Sequence, residues 1–313
     1  MANTVYSNFY LSNEIENQYN SMLDLQRFCT VDNSLVGTPG MVRKINVYSA
    51  TNGTEKLAKG VGNSQTIQVS YTQKDYTILL AQNRFQYYDE EAMTDPMLVP
   101  VGMRHAGVDM FNTVNADIFA EFNKATQTVV TSAFDFDCFA DAASIFPFEN
   151  LEGVEFFAFV SPADVAALRK ALKSTLQYVE AYARTGYVGT VAGVNIYTKA
   201  DAVAGTICLG TRGAVTLFNK KGVEVEQSVE GNRAASDANT RSNTIFSRKY
   251  YLAALTDETK AVIIVTGTAT ACPSTETTVD SSKTYYEKSG LGYIKVTPAA
   301  GDNPYTKGWY TIA

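Results

Sequence analysis

The chain of 313 residues has little charge, one histidine, one tryptophan and four scattered cysteines. Each shortage excludes something. Charged residues make up 19%, below the usual share of about 25%, so charge alone does not cover the surface. With 26 basic and 32 acidic residues the net charge is -6 and the pI near 5.0. A protein that binds nucleic acid by neutralising phosphates needs a basic excess, and this chain has none. Cys29, Cys138, Cys208 and Cys272 form no CxxC pair and have no His cluster nearby. That excludes a zinc signature and a small disulfide framework, and reads as four reduced, partly buried thiols in a cytoplasmic protein. His105 is the only histidine, so a two-His metal site is excluded and a catalytic triad would have to be built on that residue alone. The first twenty residues lack a basic segment followed by an apolar run, which argues against a secretory signal. No stretch approaches the roughly 18 apolar residues of a membrane span.

Nineteen tyrosines and sixteen phenylalanines are present instead. Aromatic residues are enriched where proteins meet proteins, and a Tyr-rich β protein without a special partner has the same composition. Residues 1 to 36 are rich in Asn, Ser and Tyr and read as an extended arm. Ile45 and Val47 alternate with polar neighbours, as do Ile67, Val69 and Tyr71, which is strand periodicity. Between them lies ATNGTEKLAKGVGNSQ, too long and polar for a tight turn, so the segment reads as a two-stranded projecting arm. The strand TILLAQNRFQYY leads to the acidic run Asp89, Glu90 and Glu91, and Asp95 and Pro96 supply helix-start chemistry. From about 101 to 129, Phe111, Val114, Ile118, Phe122, Ala125 and Val129 recur every three or four residues, predicting one long amphipathic helix. Gly102, Gly107 and Pro100 blur its start.

The strand GVEFFAFV at 153 to 160 is followed by the capping signature of Ser161, Pro162 and Asp164. Val165, Leu168, Leu172, Leu176, Val179 and Ala183 continue at helical spacing to Gly186, and TVAGVNIYT at 190 to 198 reads as the next strand. No phosphate-binding glycine motif sits at the strand-to-helix turn, so this βαβ-like unit reads as structural. TICLG and AVTLF are strands, KKGVEVEQ a charged segment, and Arg233 and Arg241 lie in a polar loop. KAVIIV at 260 to 265 is expected to close the sheet begun near residue 44.

Carboxylates at Asp135 and Asp137, on one side of an expected strand, and at Glu149, Glu152 and Glu155 are the enzyme candidates. In a chain with 32 acidic residues such groupings arise by chance. No catalytic, cofactor-binding or metal-ligating residue is assigned.

This order of parts resembles the Hong Kong 97-type capsid proteins of tailed bacteriophages: an arm, an extended loop, a spine helix, an inserted α/β unit with FAFVSPADVAALRKAL and VAGVNIY, and the late strand TKAVIIV. The resemblance covers roughly residues 1 to 266 and implies an α+β fold. Residues 1–36 would be the N-terminal arm, 37–75 the extended loop, 76–133 with 245–266 the peripheral domain, and 134–244 the axial domain. It further implies self-assembly into hexamers and pentamers of an icosahedral shell in the virion, assembled in the host cytoplasm, with no membrane involved. Portal protein, scaffolding or decoration proteins and packaged double-stranded DNA would be the partners, the DNA held weakly. An encapsulin-like compartment shares this fold, and a glycan-binding or hydrolytic protein is the alternative of a different class.

Lys56 and Lys59 in the loop, and Asp89, Glu90 and Glu91, are the candidate inter-subunit contacts. Beyond the family pattern, residues 267–282 hold eight Ser or Thr in sixteen positions and read as a linker. Residues 283–313 read as a small β module docked on the body or on a neighbouring subunit; its resemblance to modules appended to phage structural proteins implies that it decorates the outside, with Tyr285, Tyr286, Tyr293, Trp309 and Tyr310 as its candidate surface residues.

Overall fold

The computed structural model describes residues 24–51, 53–147, 153–173, 189–229 and 233–312. Most of the expected N-terminal arm, Glu149, Glu152 and the helical positions from Leu176 to Gly186 lie outside the described residues. The described residues divide into two units: those within Val31–Thr113 and Leu217–Ala254 form the first, and those within Asp24–Thr30, Val114–Thr216 and 255–312 the second.

In the first unit, strands β1 (Thr30–Asp32), β10 (Val215–Ser228), β11 (Ser242–Leu255) and β4 (Leu79–Tyr88) form a sheet in the order β1-β10-β11-β4. β11 and β4 pair antiparallel from Ser242↔Tyr88 to Tyr251↔Leu79. KKGVEVEQ is not a separate charged segment; it is the second half of β10. Val225 turns into the core while Glu226 stays exposed, so Glu224 and Glu226 sit on the outer positions of an alternating strand. The apolar side of this sheet meets Met103, Met110 and Phe111 of helix α2 (Leu98–Phe122). Gly102 sits in that helix because a Cβ there would lie 2.4 Å from the Phe85 ring. Pro100 falls in the first turn, where its missing N–H has no intrahelical partner to lose, and so does not break the helix.

The helix ends at Phe122, earlier than its spacing suggested. Asn123 and Lys124 turn the chain, and the β-branched run after them forms strand β5 (Gln127–Thr131), which holds Val129. Tertiary pairing overrides the apparent helical period there. The short helix α1 (Asp89–Thr94) precedes α2 and is built on the acidic run itself, three carboxylates in a first turn, where the helix dipole favours them.

The second unit is organised on a ten-stranded sheet in the order β13-β16-β14-β15-β5-β12-β9-β6-β8-β7. Here β6 is Phe156–Val160, β7 Thr190–Val191, β8 Val194–Thr198, β9 Thr206–Thr211 and β12 Ala261–Thr266. The tail supplies β13 (Ala269–Ala271), β14 (Tyr285–Ser289), β15 (Gly292–Val296) and β16 (Tyr310–Ile312). Every residue of β6 is buried, which accounts for its unbroken apolar run. Phe157 and Phe159 lie against Phe122 at ring-centroid distances of 5.5 and 5.7 Å. Phe156, Ala158 and Val160 join the cluster formed with helices α3 (Phe136–Ser144) and α4 (Pro162–Ala171).

The expected cap is present: Ser161 Oγ accepts from Asp164 N at 3.1 Å and donates to the Asp164 carboxylate at 2.8 Å. The Asp164 carboxylate also accepts from Gly205 N at 3.0 Å. β6 and β8 run parallel, completing the βαβ-like element. TVAGVNIYT is two strands, however. Ala192 and Gly193 have φ of 48° and 80°, the two positive values of a tight hairpin turn between β7 and β8.

KAVIIV does not close a sheet begun near residue 44. It forms β12, parallel to β5 and antiparallel to β9, in the centre of the ten-stranded sheet. The strands near residue 44 stand as a separate two-stranded sheet of β2 (Val42–Ala50) and β3 (Val69–Thr77). Nor is 267–282 a linker: Ala269–Ala271 pair with Tyr310–Ile312, and Cys272 is buried.

Candidate functional site

The β2–β3 ribbon is the most exposed regular structure of the first unit. Its register runs through nine pairs from Val42↔Thr77 to Ala50↔Val69. At its root Ile45 and Tyr76 pack with Ile78 and Phe218, the Tyr76 and Phe218 rings stacking at 5.0 Å. Arg43 pairs with Asp32 at 3.3 Å. Beyond the root the burial stops. Tyr48 is 66% exposed, Val69 65% and Tyr71 64%. Tyr48 and Tyr71 face each other at 5.9 Å, and the hydroxyls of Ser49 and Ser70 are 2.6 Å apart. At the tip, the Glu55 carboxylate accepts from Ser64 N at 3.0 Å and Ser64 Oγ at 2.7 Å. Those bonds, the backbone one first, hold the carboxyl below its ordinary range. Isolated two-stranded ribbons are marginal in water, and apolar residues lined along one are unused contact area.

Lys56 and Lys59 are exposed on this loop and have no ion-pair partner among the described residues. The carboxylates expected to meet such lysines are engaged inside the chain. Asp89 accepts from the Arg233 guanidinium and from Asn243 Nδ2 at 2.7 Å, and the Arg233 side chain is only 9% exposed. The bond from Arg233, ahead of all other effects, keeps the Asp89 carboxyl low, with desolvation opposing it. Glu90 pairs with Arg241 at 3.1 Å, and Glu91 Oε2 accepts from Tyr88 N at 3.0 Å. Within one chain the structure does not bring the lysines and acids together. Sequence reasoning missed the roles of Arg233 and Arg241, since no fixed spacing links them to residues more than 140 positions away.

In the tail, Tyr285 and Trp309 are interior residues, 0% and 4% exposed, with ring centroids 5.6 Å apart. With Cys272 they make a small core of their own. The Tyr285 hydroxyl donates to Glu276 Oε1 at 2.7 Å and accepts from Asp280 N at 3.0 Å, while Lys283 Nζ reaches the same carboxylate at 2.9 Å. Burial pushes the Tyr285 phenol up; the Tyr285 bond holds Glu276 down. Tyr286, Tyr293 and Tyr310 remain half-exposed, the last two in edge contact at 5.4 Å.

The enzyme candidates have structural employment. Asp135 caps α3, accepting from Cys138 N at 3.0 Å, so Asp135 and Asp137 begin a helix and not a strand. Glu155 accepts from Asn195 at 3.1 Å, and His105 is exposed on α2. Among the described residues no three His, Cys, Asp or Glu converge as metal ligands. Burial pushes the thiols of Cys29, Cys138 and Cys208 up to about 12, 11 and 12, and raises Cys272 as well, which keeps all four protonated. No helix among the described residues is long and apolar enough to cross a membrane.

The chain has the α+β Hong Kong 97-type fold of tailed-phage capsid proteins. The mature capsid of bacteriophage PhiM1 matches it with a TM-score of 0.61 at 14% identity, over 78% of this chain and 87% of that one. A virus-like particle of Pyrococcus furiosus matches at 0.55 and 12% identity, over 83% and 100%. In sequence, the major capsid protein of Staphylococcus phage phiMR11 is 25% identical over 256 residues, 80% of this chain and 89% of that protein. No protein-family model matches the chain.

Proposed function

We infer that this chain is the structural major capsid protein of a tailed phage, self-assembling into an icosahedral head around double-stranded DNA. The observation that carries the reading is a capsid fold bearing a nine-pair ribbon whose outer half has apolar side chains exposed. A free subunit gains nothing from such a ribbon, whereas a neighbour in a symmetric array would bury it, once per subunit. The similarity to the phiMR11 capsid protein along 80% of the chain supports the same reading.

In this reading the role of the chain is structural and not enzymatic, and its place is the virion shell, assembled in the host cytoplasm. Its main partner is itself, in hexamers and pentamers. Portal protein and scaffolding or decoration proteins would meet the same shell. Residues 37–75 would serve as the extended loop. The first unit takes the peripheral role, because β10 and β11 pair with β4. The second takes the axial role, with β12 in its sheet. This moves 217–244 to the peripheral part, and 114–133 with 255–266 to the axial part. Lys56 and Lys59 would contact a neighbour through carboxylates other than the internally paired Asp89. With 26 basic against 32 acidic residues, the free subunit holds duplex DNA weakly and without sequence preference.

Electron microscopy and sedimentation of the purified chain test the reading. Closed shells of uniform size are expected, and particles from infected cells should contain DNA. A chain that stays monomeric at every concentration and ionic strength would overturn it. Shells holding protein cargo and no nucleic acid would replace the phage head with a compartment.

A further inference from the structure

Were the chain to end at Thr266, the large sheet would stop at β5. The residues there, Thr126 to Thr131, read TQTVVT: uncharged, without proline, and β-branched at five of six positions. An open edge of that composition is a template for pairing with another chain, and natural sheets normally blunt such edges with charge, proline or a cover. None of the blunting residues is present in this strand. The cover is.

β15 lies antiparallel along β5 through Tyr293↔Thr128 and Ile294↔Gln127, and Lys295 N donates to Thr126 O at 2.8 Å. The cover is thin. β14 and β15 share five register pairs, whereas β15 and β5 share two. A depression of about 280 Å³ lies beside the junction, lined by Gln127, Ser144, Ile145, Leu291 and Gly292 among others. Gln127 Oε1 is buried there with no hydrogen-bond partner among the described residues. The tail's own core of Cys272, Tyr285 and Trp309 does not draw on β5. One position controls the approach: a Cβ on Gly292 would stand 2.6 Å from Ile145 Cδ1 and 3.0 Å from Thr128 O.

We propose that the C-terminal module is a cover for the β5 edge, and that the uncovered edge is a self-association surface whose partner is β5 of a second copy. The tail thereby keeps subunits from pairing along this edge in place of their ordered contacts. This goes beyond the capsid reading and does not depend on it, because it concerns the free subunit.

Three chains test it against the full-length protein at a concentration where the latter sediments as free subunit: one ending at Thr266, the full chain with Gly292→Val, and the truncated chain with Gln127→Lys. Hydrogen exchange at 126–131 should quicken on the order of ten-fold or more in the truncated chain and in the Gly292→Val chain. On concentration, both should form large irregular species, and the added lysine should return the truncated chain to free subunits. Unchanged exchange at 126–131 and unchanged sedimentation in the truncated and Gly292→Val chains would overturn the proposal. So would a truncated chain that is insoluble with and without Gln127→Lys, since the tail would then complete the core and not guard an edge. Shell formation by the full chain is a separate measurement, so either conclusion can fail without the other.

Discussion

The β2–β3 ribbon and the C-terminal module are both small antiparallel sheets of Tyr- and Val-bearing strands, yet they are held together differently. The ribbon has nine backbone pairs and, past its root, no buried side chain. The module's strands pair over shorter stretches, but they enclose Tyr285, Trp309 and Cys272. Backbone pairing trades hydrogen bonds to water for hydrogen bonds to protein and nets little, whereas burying an aromatic side chain contributes about 1.5–3 kcal/mol. The module therefore carries its own reason to be folded. The outer ribbon has to find its reason elsewhere, and in a capsid subunit that is a neighbour.

The largest effect expected within this contrast comes from Trp309→Ala, which empties the module's core. It should cost about 3–5 kcal/mol in chemical denaturation and release the tail to proteolysis, leaving the ribbon as it was. Next is Arg233→Ala in the first unit, which strands the partly buried Asp89. A cost of about 1–3 kcal/mol is expected at neutral pH. The pH dependence gives the sign. Asp89 titrates below its unfolded value of about 3.9, so its contribution is complete above that pH and is lost as pH falls through the depressed folded value. The variant should flatten that part of the acid limb; an unchanged acid limb would dissociate Asp89 from it. Tyr285→Phe is smaller, on the order of 1 kcal/mol, because it removes only the hydroxyl that joins Glu276 to Asp280 N. Smallest in the subunit is the double change Tyr48→Ser and Tyr71→Ser, within about 0.5 kcal/mol by thermal unfolding. The same variant should fail to form closed shells, as should Lys56→Glu with Lys59→Glu if the loop meets acidic groups of a neighbour. Normal shells from the tyrosine pair would remove the ribbon from the assembly account.

Much of the fold was legible wherever one local signal acted alone. The apolar run of β6, the Ser161 cap and the alternation around Ile45 and Val69 each fix one element through periodicity or capping chemistry. Reading failed where two signals coincided. Val129 continued a helical spacing by accident while its β-branched neighbours committed it to β5, and TVAGVNIYT hid a hairpin because Ala192, a residue type that seldom takes a positive φ, takes one beside Gly193. The partners of strands were the least legible. Nothing local tells KAVIIV to sit between β5 and β9, or a Ser/Thr-rich segment to pair with the last three described residues. The candidate contacts show the same limit: Lys56, Lys59 and the acidic run were visible as charges, while the arginines that already engage Asp89 and Glu90 lie far along the chain.

The account turns on the ribbon being completed by a neighbour while the tail is complete in the subunit. Hydrogen exchange on dissociated subunits and on assembled particles measures this in one experiment. Amides of 46–50 and 69–73 should exchange quickly in the subunit and slowly in the particle, and those of 285–296 should be protected in both. Equal protection of the ribbon in the two states, or a ribbon that stays fast after assembly, would contradict it.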